Sequence, residues 1–344
     1  MSQPLLERSD SGSSGATWRS RLLLLLRILV ALVLIIIIFR VIDFSSVGNT
    51  IAKADLRWGV LILVLALADR YIMACKWAGL LRAQGTVFSD WEAFKVYMSS
   101  TFIGTVLPTS VGSDVYRAVR AKLAGHQMNV ITASIVLERV LGMLAVTLLS
   151  LCGLAAISGK PNTHFGTLLG AVAILTAALL IAIRLSIDPK MYALITQFFD
   201  RFRHLKPVRI FMDLHSAYMT FSRSRVVFGS FFALTFLEQM LNALLTYLGS
   251  LALGLNTPYI FYLALVPLSR FVTLLPISLG GIGVTEGAYV FALSLAGISA
   301  VDALSLAVLM RLIGWAMLVP EGLFFFYDSV KLKQAKREER TVPR

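Results

Sequence analysis

Apolar residues run along this chain in blocks too long for any soluble element. Stretches of about 22–42, 58–82, 130–157, 165–187, 226–254 and 301–327 are almost continuously apolar. Each reaches the roughly 20 residues that a helix needs to cross the hydrocarbon of a bilayer. Residues 91–124 and 259–296 are also long enough, but Pro and Gly break each near its centre. The breaks read Leu107-Pro108-Thr109-Ser110-Val111-Gly112 and Leu275-Pro276-Ile277-Ser278-Leu279-Gly280. Both follow the pattern L-P-x-S-x-G, and they lie 168 residues apart, about half the chain. An acid and a Tyr follow each: Asp114 with Tyr116, and Glu286 with Tyr289. Two such breaks at matched positions predict an internal repeat.

The predicted fold is an all-α polytopic membrane protein with eight segments by hydropathy. Six are full crossings, and the two broken segments are re-entrant hairpins. Eight plain crossings with kinked helices is the alternative. A tail over residues 1–20, Ser- and Gly-rich, is expected to be disordered and cytoplasmic. Residues 21–327 form one transmembrane domain, and residues 328–344 a basic cytoplasmic tail. No cleavage site follows the first span, so it reads as a retained helix.

Composition agrees with the pattern. Of 344 residues, 57% are apolar and 15% charged, and the mean hydropathy is +0.78. Soluble domains carry about 25% charged residues. A cytosolic enzyme is excluded.

Charge adds the orientation. Lys and Arg number 32 against 19 Asp and Glu, a net charge of +13. Nineteen of the basic residues fall in the N-terminal tail, residues 113–129, residues 188–225 and the C-terminal tail. The other loops hold only Lys53, Arg57 and Lys160. Basic loops stay on the cytoplasmic side. One topology satisfies them all: both termini inside the cytoplasmic membrane, the first hairpin entering from the cytoplasm and the second from outside. The halves 58–157 and 226–327 then run in opposite directions, an inverted-topology repeat as in many alternating-access transporters. The basic connection 188–225, with Phe198, Phe199, Phe202, Ile210 and Phe211, reads either as an amphipathic helix on the anionic leaflet or as plain positive-inside retention. Nucleic acid is not expected as a partner, because the basic residues fall between spans.

Irregular backbone survives at membrane depth only where protein or a watery cavity satisfies it. Two facing breaks therefore imply a polar cavity, with Ser110 and Ser278 capping the returning half-helices. Helix N-termini favour anions such as phosphate. Ionisable residues inside spans cost about 2.5–3.5 kcal/mol each at a helix centre. Asp69, Arg70, Lys76, Asp114, Arg117, Glu138, Arg139, Glu238, Arg270, Glu286, Arg311 and Glu321 nearly balance, which suggests pairing inside a bundle. Arg70, Lys76 and Glu321 read as residues near span ends that snorkel. The candidate translocation residues are Pro108, Ser110, Gly112, Asp114, Arg117, Glu138, Arg139, Arg270, Pro276, Ser278, Gly280, Gly281, Gly283, Glu286 and Arg311. Cys75 and Cys152 read as small packing residues. No metal site, cofactor motif or catalytic constellation is evident.

At these residues the sequence resembles the transmembrane region of lysylphosphatidylglycerol synthases and its stand-alone relatives. Lys76-Trp77 with Leu80-Leu81, residues 102–117 (FIGTVLPTSVGSDVYR), Glu138-Arg139 and residues 275–286 (LPISLGGIGVTE) carry the resemblance. Family members typically read LPxxxGGDxxR in the first break and PxSxGGxGxxE in the second. Ser113 stands here where Gly is usual, and Thr285 where a basic residue is frequent. The resemblance implies a lipid flippase. In two-part family proteins this region moves an aminoacylated phospholipid made by an attached synthase. Only about 17 residues follow the last span here, so that lipid is not implied. The expected partner is a membrane lipid (a phospholipid, glycolipid or polyprenyl-linked lipid), with lipid-synthesis enzymes as further candidates. A lipid-modifying transferase, with the carboxylates as acid and base, and an accessory subunit of a lipid-synthesis complex are the alternatives.

Overall fold

The computed structural model describes residues 44–83, 85, 87–106, 112–157, 163–202, 204–205, 225–273 and 282–341, with Leu29, Val208, Met212 and Met219 singly. The span expected at 22–42 and the turn residues Pro108, Ser110, Pro276, Ser278, Gly280 and Gly281 lie outside the described residues, as do the two serine caps.

Among the described residues the regular elements are all helices, joined by short turns. The helices are α1 (Phe44–Ala52), α2 (Leu56–Arg82), α3 (Asp90–Val106), α4 (Gly112–Leu123), α5 (Met128–Ile157) and α6 (Thr163–Ser186). Then follow α7 (Pro189–Asp200), α8 (Arg225–Ala252), α9 (Tyr259–Thr273), α10 (Val284–Leu295), α11 (Ala300–Ala316) and α12 (Leu318–Thr341). Five stretches are long and apolar enough to cross a membrane: Leu56–Arg82, Met128–Ile157, Phe165–Ser186, Val226–Ala252 and Ala300–Ser329. They coincide with five of the six expected crossings, and the protein is a multi-pass membrane protein.

Both broken regions form pairs of short helices. The helices α3, α4, α9 and α10 have 17, 12, 15 and 12 residues. At 1.5 Å per residue each measures about 18–26 Å, short of a roughly 30 Å hydrocarbon core. Within each pair the helices lie against one another. A Cβ on Gly104 of α3 would lie 2.9 Å from the Ser113 Cβ of α4, across the first break.

The halves interlock. α2 packs along α8, α9 of the second half packs along α5 of the first, and α3 packs along α12. The α5–α9 contact needs Gly153: a Cβ there would lie 2.6 Å from Ala264 Cα. At the matching α12–α3 contact, a Cβ on Gly322 would lie 3.0 Å from the Phe102 ring. α5 is the most enclosed span, 56% buried over its apolar window, against 17% for α6. The core therefore gathers around α5, and α6 is peripheral. Trp77 and Tyr262, both fully enclosed, are its largest side chains.

Three features differ from expectation. The loop after residue 42 contains α1, whose Val47 packs against Leu304 of α11. The last span is split at Met317, because Pro320 has no N–H for the Ala316 carbonyl. The C-terminal basic segment continues α12 as helix to Thr341 rather than leaving it at 327. The cysteines are free; Cys75 is half-buried, whereas Cys152 is exposed rather than packed. In the basic connection, Asp188 caps α7 by accepting from Lys190 N–H at 2.8 Å. That bond holds its carboxyl below the usual range. Phe198 and Phe202 of this segment are exposed.

Candidate functional site

Two ionic constellations occupy the bundle. The first is built where α4 and α5 meet α2. Asp114, in the first turn of α4, accepts from Arg117 one turn on at 2.7 Å and from Arg139 Nε of α5 at 3.1 Å. Arg117 also donates to Glu138 at 2.6 Å. Its guanidinium lies 4.9 Å from the Tyr97 ring centre and 5.4 Å from that of Trp77. Lys76 of α2 closes the group: it pairs with Glu238 of α8 and lies 3.8 Å from Glu138. Lys76, Arg117, Glu138 and Glu238 are all buried.

The same chain of contacts continues along α8. Asn242, one turn beyond Glu238, donates to the Glu238 carbonyl at 2.9 Å and to Asp69 at 3.1 Å. Asp69 accepts from Arg70, and Arg70 donates to Glu321 of α12, both at 3.2 Å. Six acids and six bases among the span residues explain why these charges are tolerated in apolar helices. Each charge left alone would be expensive, and pairing offsets that cost.

Arg70 and Glu321 open onto a cavity of about 330 Å³. That volume lies in the range of small-molecule pockets. Arg70, Arg270 and Arg311 face it against the single acid Glu321. Thr105, Asn242, Thr246, Thr285 and Tyr289 add polar groups, and Met310 and Trp315 an apolar side. In sequence Thr105 stands just before the first break and Thr285 just after the second, and both line this space.

Behind the wall that Thr285 and Tyr289 form, Gly283 and Glu286 organise the start of α10. Gly283 precedes the helix with φ +80°, a conformation that L side chains rarely adopt. Its N–H donates to Glu286 Oε2 at 2.7 Å, and the other carboxylate oxygen pairs with Arg311 of α11. This pair matches Asp114–Arg139 in the first half. Both acids lie in the first turn of the helix after a break, and both arginines lie 25 residues later.

The structure thus brings Asp114, Arg117, Glu138 and Arg139 into one group, and Glu286, Arg270 and Arg311 to the other. Asp114 and Arg117 do not line the cavity, and Gly112 starts α4. Asp69, Lys76, Glu238 and Asn242 were not singled out from sequence as site residues, nor were Arg70 and Glu321. Arg70, Lys76 and Glu321 do not snorkel; they pair in the interior. The missed signal was a single polar face: Asp69 and Lys76 are two turns apart on α2, opposite Glu238 and Asn242 one turn apart on α8. Among the described residues, no three His, Cys, Asp or Glu gather as a metal would require.

The family model of the lysylphosphatidylglycerol synthase TM region matches residues 24–322. That is most of the chain, which therefore belongs to this family of lipid-related membrane proteins. No curated protein matches the sequence.

Proposed function

We propose that this family member is a flippase of the cytoplasmic membrane, moving a lipid whose headgroup carries a phosphate. The observation that carries the reading is the cavity itself: Arg70, Arg270 and Arg311 line one space between the two halves, Arg70 and Arg311 each already holding a carboxylate. Arginine is the side chain best matched to phosphate, through its fixed fork of donors. The start of α10 adds backbone donors at Thr285. The apolar side with Trp315 and Met310 suits the glycerol or prenyl portion behind the phosphate.

In this reading the short helix pairs are re-entrant hairpins and the halves an inverted repeat, with both termini cytoplasmic. The shortness of α3, α4, α9 and α10 supports the hairpins. The equal spacing of Asp114–Arg139 and Glu286–Arg311 supports the repeat. The two pairs are latches of opposite halves, one holding while the other opens, as alternating access requires. The mixed chain from Arg139 to Glu321 keeps the cavity's charges balanced as the halves move.

The test is reconstitution in liposomes with labelled phosphatidylglycerol, phosphatidylethanolamine and a polyprenyl phosphate. The wild-type protein moves at least one of these between leaflets faster than the D114N/E286Q double variant. Equal rates for both proteins across all headgroups would sink the proposal. A new covalent lipid species in the mass spectrum would replace it with a transferase.

A further inference from the structure

A second recess lies on the outside of the bundle, at the seam between α3 and α12. Trp91, Lys95, Leu323, Phe324 and Tyr327 line a slot of about 560 Å³. Its floor is a fixed aromatic cluster: Trp91 stacks on Phe94 at 5.5 Å, and Phe324 meets both rings edge-on at 5.9 and 5.4 Å. Trp91, Leu323 and Tyr327 are more than half exposed. Lys95, one turn along α3 from Trp91, makes no ion pair among the described residues. An apolar, aromatic slot with one cationic group on the outside of a membrane-embedded bundle is complementary to a phospholipid, with phosphate on the ammonium and glycerol and acyl chain on the rings.

The slot and the cavity share their two helices. α3 carries Trp91 and Lys95 at one end and Thr105 at the other; α12 carries Glu321 at the cavity and Leu323, Phe324 and Tyr327 at the slot. Between them, Phe102 lies over Gly322 and stacks on Phe325 at 5.3 Å. This seam is closed by a side chain, the Phe102 ring, rather than by backbone. The matching α5–α9 seam is closed by backbone against Gly153, with no room for a rotamer change to open it.

We propose that the α3–α12 slot is a docking site for an anionic phospholipid of the surrounding leaflet, held by Lys95 and Trp91, and that the seam beneath it is the lateral entrance to the cavity. The entrance role rests on the flippase reading; the docking does not. The experiment uses the full chain in phosphatidylcholine vesicles containing a few per cent of photoactivatable phosphatidylglycerol. After illumination, adducts are mapped by peptide mass spectrometry. Adducts concentrate on Trp91, Leu323, Phe324 and Tyr327. They fall about five-fold in K95Q, the equivalent of about 1 kcal/mol per basic side chain at an anionic surface. Photoactivatable phosphatidylcholine labels the slot less than phosphatidylglycerol, and W91A lowers labelling by either lipid. Equal labelling by the two lipids, adducts spread evenly over exposed helix faces, or K95Q labelling like the wild type would overturn the site. If slot labelling depends on Lys95 while no lipid crosses the bilayer in the transport assay, the docking site stands and the flippase reading falls. If transport proceeds and slot labelling ignores Lys95, the reverse holds.

Discussion

Lys76 sits between two carboxylates, Glu138 and Glu238, on different helices. Replacing it by Met keeps the volume but leaves both acids buried without their shared cation. Breaking a buried pair from one side costs about 3–5 kcal/mol. K76M is therefore expected to lower the thermal unfolding midpoint in detergent sharply, and K76M/E238Q to recover part of the loss, read by a thermal-shift assay. Failure of the double variant to recover would mean that Lys76 contributes by packing alone. Glu286 and Arg311 allow a cleaner exchange. E286R and R311E should each abolish transport, and E286R/R311E should restore it in part if the pair is a latch. Sequence alone identified Asp114 and Glu286 beside the Pro/Gly breaks, Arg139 beside Glu138, and Arg311 as a charge inside an apolar span. It named Asp69 and Lys76 as charges inside a span but did not place them in the site, because position within a span does not say whether a charge points inward or toward a headgroup. Only the facing polar residues of α8 decide that.

At the scale of elements, the glycine at the α5–α9 crossing sets how closely the halves approach. A methyl at Gly153 meets Ala264 backbone at 2.6 Å, with no flexible side chain to yield. G153A should destabilise by about 1–3 kcal/mol. G142A, on the same helix with nothing within 4 Å, should be neutral or slightly stabilising by helix propensity. Detergent melting curves of the two variants decide it; equal melting would mean that the halves slide freely at this crossing. The five crossings were legible because long apolar runs have few other outcomes. The helix α1 was not, because nine residues are too few to stand out beside the long apolar runs, although Phe44, Val47 and Ile51 recur at helical spacing. Nor was the split at Met317, although Pro320 was its available signal. The two pairs of short helices were legible as breaks, while their packing across the halves follows from contacts distant in sequence.

The whole molecule has an expected orientation, with the basic connection and both tails inside. Cysteine labelling tests it in a background with Cys75 and Cys152 replaced by Ala. T196C, on α7, should react with a membrane-impermeant maleimide only after the cells are opened. N256C, in the turn between α8 and α9, should react in intact cells. The opposite pattern would invert the topology and the sides from which the two hairpins enter. In the proposed function, the arginine-walled cavity carries a lipid phosphate across the bilayer. Its most direct measurement is the transbilayer rate of fluorescent phosphatidylglycerol in proteoliposomes, compared between the wild type and an R270Q/R311Q variant of equal melting temperature. The wild type should move the lipid, and the variant should fall to the rate of protein-free vesicles. A variant as fast as the wild type would contradict it.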